Sequence, residues 1–209
     1  DDFTAVLALK LKKVPPAMFY NSKKLKTVMM LEADEVGEVK DDAGAFALTN
    51  IENCYFPKLK RVGAIAFKYC PIQTLNEDNF PILKVVGDRA FMECGIQTLN
   101  LPHLEQIGKF AFSKCPITTI NLPNIKQIGV KCFSSHELLR EFSAPSSKRS
   151  EQIVSQLARC SPASTAVWNR NNSPVTDVKR AQFATTTSRN VCNAGDLGWK
   201  TKLRLTKKQ

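Results

Sequence analysis

At 209 residues with 43% hydrophobic side chains, the chain is long enough to bury a core as one domain with an appended segment. No apolar run approaches the about 20 residues that cross a bilayer, which argues against a spanning helix. The net charge of +11 is held unevenly: residues 1–144 carry 18 Lys and Arg against 16 Asp and Glu, whereas 145–209 carry 12 against 3.

Most of the basic excess therefore belongs to the last third of the chain, where it predicts an acidic partner held in a salt-sensitive way. The seven cysteines show no C-x-x-C pair. Their odd number and scattered spacing favour reduced thiols in a cytosolic setting over a disulfide framework or a zinc site. No secretory leader is evident.

In chain order, the dominant feature is a repeat. A first worn copy runs from Val14 through Pro15, Phe19 and Leu25 to Val28. Leu31 to Asp42 is acidic, with Glu32, Asp34, Glu35 and Glu38, and lengthens that coil. Ala45-Phe46 then stands 21 residues before Phe67. From Lys60 the frame is regular. Phe67, Phe91, Phe112 and Phe133 are spaced by 24, 21 and 21, and Gly63, Gly87, Gly108 and Gly129 keep the same steps. So do Pro57, Pro81, Pro102 and Pro123. In the last copy His136 replaces the usual Cys and Cys132 the usual Ala.

Each copy has the make-up of one solenoid coil. Leu99 and Leu101 flank polar Asn100, and Ile120 and Leu122 flank Asn121, the period-two pattern of a half-buried strand. Pro ends that strand because it cannot donate to a ladder. A second extended piece follows (Leu83 to Val86, Leu104 to Ile107, Ile125 to Ile128), closed by Gly, expected there for its access to positive φ. The Ala-Phe-x-x-Cys piece has near-helical spacing. Stacking identical coils is expected to set Phe on Phe and Cys on Cys, burying faces that no single coil can bury. Six coils at about 4.8 Å give a body roughly 25–30 Å long.

The pattern L-x-x-I-G-x-x-A-F-x-x-C-x-I-x-x-L-x-L-P resembles the BspA-type leucine-rich repeat over residues 14–144. The resemblance implies an α/β-type repeat solenoid of short stacked parallel strands that binds through a repeat face. Members include cell-surface adhesion proteins and intracellular ones, and the family implies no particular ligand and no chemistry.

The residues themselves supply no catalytic constellation. Cys70, Cys94 and Cys115 fall in one repeat slot and are expected to form a buried ladder rather than a metal site. His103 and His136, the only histidines, lie in no nucleophile-elbow or protease-like frame. No phosphate loop or dinucleotide fingerprint is present. The reading is a non-enzymatic protein with no cofactor, metal or small-molecule substrate. Outward strand positions are Gln73, Thr74 and Asn76, then Gln97, Thr98 and Asn100, then Thr118, Thr119 and Asn121, continued by Arg140, Glu141 and Ser143. They form a candidate hydrogen-bonding face for a protein partner. Lys60, Arg61, Lys84, Lys126 and Lys131 make a weaker basic stripe on the second extended segment, interrupted by Glu105.

The solenoid is placed at 1–144. Residues 145–161 are expected to form a capping helix, with Ser147 or Ser150 as N-cap, a stripe of Ile153, Val154, Leu157 and Ala158, and Ser161-Pro162 as its stop. Residues 162–209 read as an extended basic tail whose composition cannot fold alone. Its candidate partner-binding residues are Trp168, Arg170, Lys179, Arg180, Phe183, Arg189, Trp199, Lys200, Lys202, Arg204, Lys207 and Lys208. Aromatics among Arg and Lys suit an acidic, grooved surface. The leading reading is a scaffold component of an intracellular assembly, its tail on an acidic protein polymer such as a microtubule. That places it in the cytoplasm, in the cytoskeleton or an axoneme. The alternatives are binding to RNA or a ribonucleoprotein, and a secreted or surface adhesin.

Overall fold

The computed structural model describes residues 3–37, 43–134 and the strand at 141–143. Its elements are short parallel strands: β1 (Ala5–Ala8), β2 (Lys13–Val14), β3 (Thr27–Met30), β4 (Glu35–Val36), β5 (Asn53–Tyr55), β6 (Arg61–Val62) and β7 (Thr74–Leu75). They continue as β8 (Val85–Val86), β9 (Thr98–Asn100), β10 (Gln106–Ile107), β11 (Thr119–Asn121), β12 (Gln127–Ile128) and β13 (Glu141–Ser143). Even-numbered strands form one six-stranded sheet from β2 to β12. Odd-numbered strands form two sheets, β1-β3-β5 and β7-β9-β11-β13. Each coil thus gives one strand to each side, and the six-stranded sheet brackets about five turns.

The register stacks like on like. Val14, Val36, Val62, Val86, Ile107 and Ile128 form one buried column. Phe19, Phe46, Phe67, Phe91, Phe112 and Phe133 form another, with successive ring centroids 4.9–5.6 Å apart and planes within 11°. Phe56 stacks on Phe80 at 5.6 Å, and both meet the main column edge-on. The 27-residue step from Phe19 to Phe46 does not disturb this order, because the extra length falls between Gly37 and Gly44.

Two expectations are corrected. The Ala-Phe-x-x-Cys piece is not helical, and no helix occurs among the described residues. In most copies the residues two before and two after the Phe have left-handed φ: Ile65 and Tyr69, Arg89 and Glu93, Phe110 and Lys114. A right-handed helix cannot pass through such positions. The segment instead bonds to the next coil, with Phe67 N–H donating to Ala90 O at 2.8 Å and Phe91 N–H to Ala111 O at 2.9 Å. Among the described residues the α/β-type solenoid is therefore a parallel β-solenoid of about five turns, built of strands and turns. The second correction concerns the glycines. Gly63, Gly87, Gly108 and Gly129 do not adopt positive φ. They are needed because the coils approach so closely that a Cβ on Gly63 would lie 2.3 Å from Gly37 O. The expected capping helix at 145–161 and the tail lie outside the described residues.

Phe91, stacked between Phe67 and Phe112, is expected to cost about 3–5 kcal/mol when truncated to Ala. Exposed Met18→Ala should stay within about 0.5 kcal/mol of the native chain. Urea denaturation of both variants checks the contrast. Gly63→Ala should destabilise despite its small size, because the atoms it meets are backbone.

Candidate interaction face

The outward side of the odd-numbered strands is built by the alternation of the strands. Leu75, Leu99 and Ile120 turn inward and are buried, which sends Thr and Asn on either side of them outward. Thr74, Thr98 and Thr119 lie in register, as do Asn100 and Asn121. Asn121 Nδ2 donates to Asn100 Oδ1 at 2.8 Å, and Thr118 Oγ1 donates to Gln97 O at 3.2 Å. Gln73 and Gln97 are exposed, and Gln97 N–H donates to Gln73 O at 2.9 Å. All nine anticipated residues are thus brought to one side of the body.

Asn76 does not join the amide ladder. Three extra residues, Glu77 to Asn79, follow it, and Asn76 Oδ1 accepts from the N–H groups of Asp78 (3.1 Å) and Asn79 (3.3 Å). The same insertion splits the sheet. Asn79 Nδ2 donates to Thr74 O at 2.8 Å, and Phe56 N–H reaches Asn79 O at 2.9 Å. In the regular coils Leu101 N–H instead reaches Asn121 O directly from the strand. No ladder connects β5 to β7 for this reason.

The second sheet carries little free positive charge. Glu35 Oε2 lies 2.9 Å from Lys13 Nζ and its Oε1 lies 3.8 Å from Arg61 Nε. Glu105 bridges Lys126 (2.6 Å) and Lys84 (3.9 Å), and the Lys126 hydrogen bond holds its carboxyl below the ordinary carboxylate value. The basic stripe of Lys60, Arg61, Lys84, Lys126 and Lys131 is therefore partly neutralised where Glu35 and Glu105 interleave with it.

The five described cysteines line the interior. Cys70, Cys94 and Cys115 Sγ donate to the carbonyls of Phe46, Phe67 and Phe91 at 3.0–3.1 Å. Thr49 fills the same slot one coil earlier, bonding Phe46 O at 2.8 Å and lying 3.2 Å from Cys70 Sγ. Burial pushes the Cys70 thiol up to about 11 and those of Cys54 and Cys115 up to about 12, with Cys94 also raised. No group of His, Cys, Asp and Glu suited to a metal occurs among the described residues. His103 is exposed, and His136 lies outside them.

With this geometry in place, the family comparison is decisive. The model for the BspA type leucine-rich repeat region, in six copies, matches residues 4–74 and 60–188. The chain belongs to the BspA-type leucine-rich repeat family. No curated protein and no solved structure matches it. Membership in this leucine-rich repeat family points to a protein-interaction role, and its solenoid fold is typically a non-enzymatic scaffold. No helix among the described residues is long and apolar enough to cross a membrane.

Sequence reasoning missed one part of the face. The column occupied by Asn76, Asn100 and Asn121 holds Leu7, Met29 and Tyr55 in the preceding coils, in register on β1, β3 and β5. Extending the repeat frame back to residue 5 would have found it. The tail residues from Trp168 to Lys208 named above lie outside the described residues.

The buried thiols give a pH signature. Their folded values lie above the free thiol value of 9.0, so neutral burial stabilises fully below pH 9 and is lost as pH rises toward 11–12. The urea midpoint is expected to be lower at about pH 10.5 than at about pH 8, because free thiols ionise from about 8.5 upward while the buried ones resist it. A Cys70→Ala/Cys94→Ala/Cys115→Ala variant should show a shallower fall.

Proposed function

We propose that this repeat protein is a non-enzymatic scaffold component of an intracellular assembly, and that its basic C-terminal segment docks on an acidic protein polymer such as a microtubule surface. The observation that carries this reading is where the unbalanced charge lies. Residues 145–209 hold 12 Lys and Arg against 3 acidic residues. On the solenoid, by contrast, Glu32, Glu35, Glu93 and Glu105 pair with lysines or arginine of neighbouring coils. A cationic segment with interspersed Trp and Phe suits a long acidic surface, where many weak contacts add and remain salt-sensitive. The rigid body then presents its Thr and Asn columns to a second protein. This reading places the protein in the cytoplasm, on the cytoskeleton.

Co-sedimentation with polymerised tubulin tests it. The full chain should pellet with the polymer, and deletion of 162–209 should abolish pelleting. Added salt should weaken it and nuclease should leave it unchanged. Nuclease-sensitive retention would instead favour an RNA partner, and pelleting that survives the deletion would refute the role given to the tail.

A further inference from the structure

On the outward side of the first odd-numbered sheet, Leu7, Met29 and Tyr55 stand in one column, 62%, 39% and 38% exposed. Leu9, 56% exposed, follows directly after the end of β1. Leu7, Met29 and Tyr55 leave the sheet through its face, and Met29 is exposed although its strand is flanked on both sides. Lys10 and Lys12, in the link that leaves β1, and Lys26, directly before β3, are exposed and make no ion pair among the described residues. Residues 3–31 contain six lysines (10, 12, 13, 23, 24 and 26) and no Asp or Glu. Lys13 is set apart from the others, on β2 of the opposite sheet and paired with Glu35, so the charge offered beside the apolar column at this corner of the body is that of Lys10, Lys12 and Lys26.

We propose that this corner is a peripheral docking site for an anionic lipid surface. Its size decides between partners. Three strands about 4.8 Å apart give a patch about 10 Å wide. A stable protein contact takes about 800 Å² from each side, with complementary shape. A bilayer interface demands no such shape: it accepts a few apolar tips at the acyl boundary and draws lysines to the phosphates. Charge excludes a second copy, since two such corners would face each other lysine to lysine. The nearest carboxylates mark the limit of the contact. Glu32 is neutralised by Lys58 at 2.7 Å, and exposed Glu52 precedes the third strand, so the first two coils make the closest approach.

The site is distinct from the tail, and the test separates them. Full-length protein is mixed with vesicles of phosphatidylcholine alone or with phosphatidylserine added. The basic tail would draw any anionic surface, so the deciding variant is apolar: Leu7→Ser/Met29→Ser, compared with the native chain at a temperature below the thermal transition of both. It is expected to lower affinity for the phosphatidylserine vesicles by about tenfold. Lys10→Glu/Lys12→Glu/Lys26→Glu should lower it at least as much. Unchanged vesicle affinity in the apolar variant would overturn the proposal, leaving only tail electrostatics. Loss of poly-glutamate binding with vesicle binding intact would overturn it in favour of an acidic polypeptide.

Discussion

The structure depends on one constraint: each coil has no core of its own and must lay its side chains directly on those of its neighbour. The Phe column shows what this demands. Rings about 5 Å apart and nearly parallel leave no room for a coil to slide or tilt. Backbone hydrogen bonds from each Phe N–H to the following coil fix the same spacing on the third side of the body. Ring stacking, strand ladders and close glycine approaches thus specify one repeat distance three times over, and that agreement selects a unique register.

The same constraint decides which surfaces are available for recognition. Interior slots are fixed by packing, which is why the thiols are buried, hydrogen-bonded to carbonyls and unsuited to nucleophilic or metal chemistry. Variation is free only at outward positions. There the chain is far from uniform, with aliphatic and tyrosyl side chains over the first three strands, an amide column beyond them, and cross-coil ion pairs on the opposite sheet. A family defined by its interior therefore says little about its ligands, and the chemistry has to be read from the outside of each coil.

The interior was legible because its code is simple. Recurrence of Phe, Gly, Pro and Cys at 21 to 24 residues gave the solenoid, the strand positions and the Cys ladder. Legibility failed where a residue type admits two physical roles. Ala-Phe-x-x-Cys has helical spacing, yet left-handed φ at residues as ordinary as Ile65, Glu93 and Lys114 is not visible from residue type. Glycine suggests positive φ, whereas here it serves close approach. On the face, Asn76 looked like its repeat mates because the three residues that divert it are an insertion, not a substitution. Charge summed over 144 residues also concealed the run of residues 3–31, which holds six lysines and no acid between Asp2 and Glu32.

The insertion after Asn76 has a mechanical consequence. At that level the odd-numbered ladder is interrupted, while the even-numbered sheet runs through from β6 to β8 and the Phe67–Phe91 stack is unbroken. Two sides of the body are laced there by regular contacts, and the third only through the Phe56 N–H bond to Asn79 O. A rod laced most sparsely on one side is most compliant about the axis joining the other two. The least costly bend therefore swings the Leu7–Met29–Tyr55 half of the face toward or away from the Asn100–Asn121 half, like the covers of a book about its spine. Three residues in one loop thus make one side of an otherwise uniform rod its softest seam.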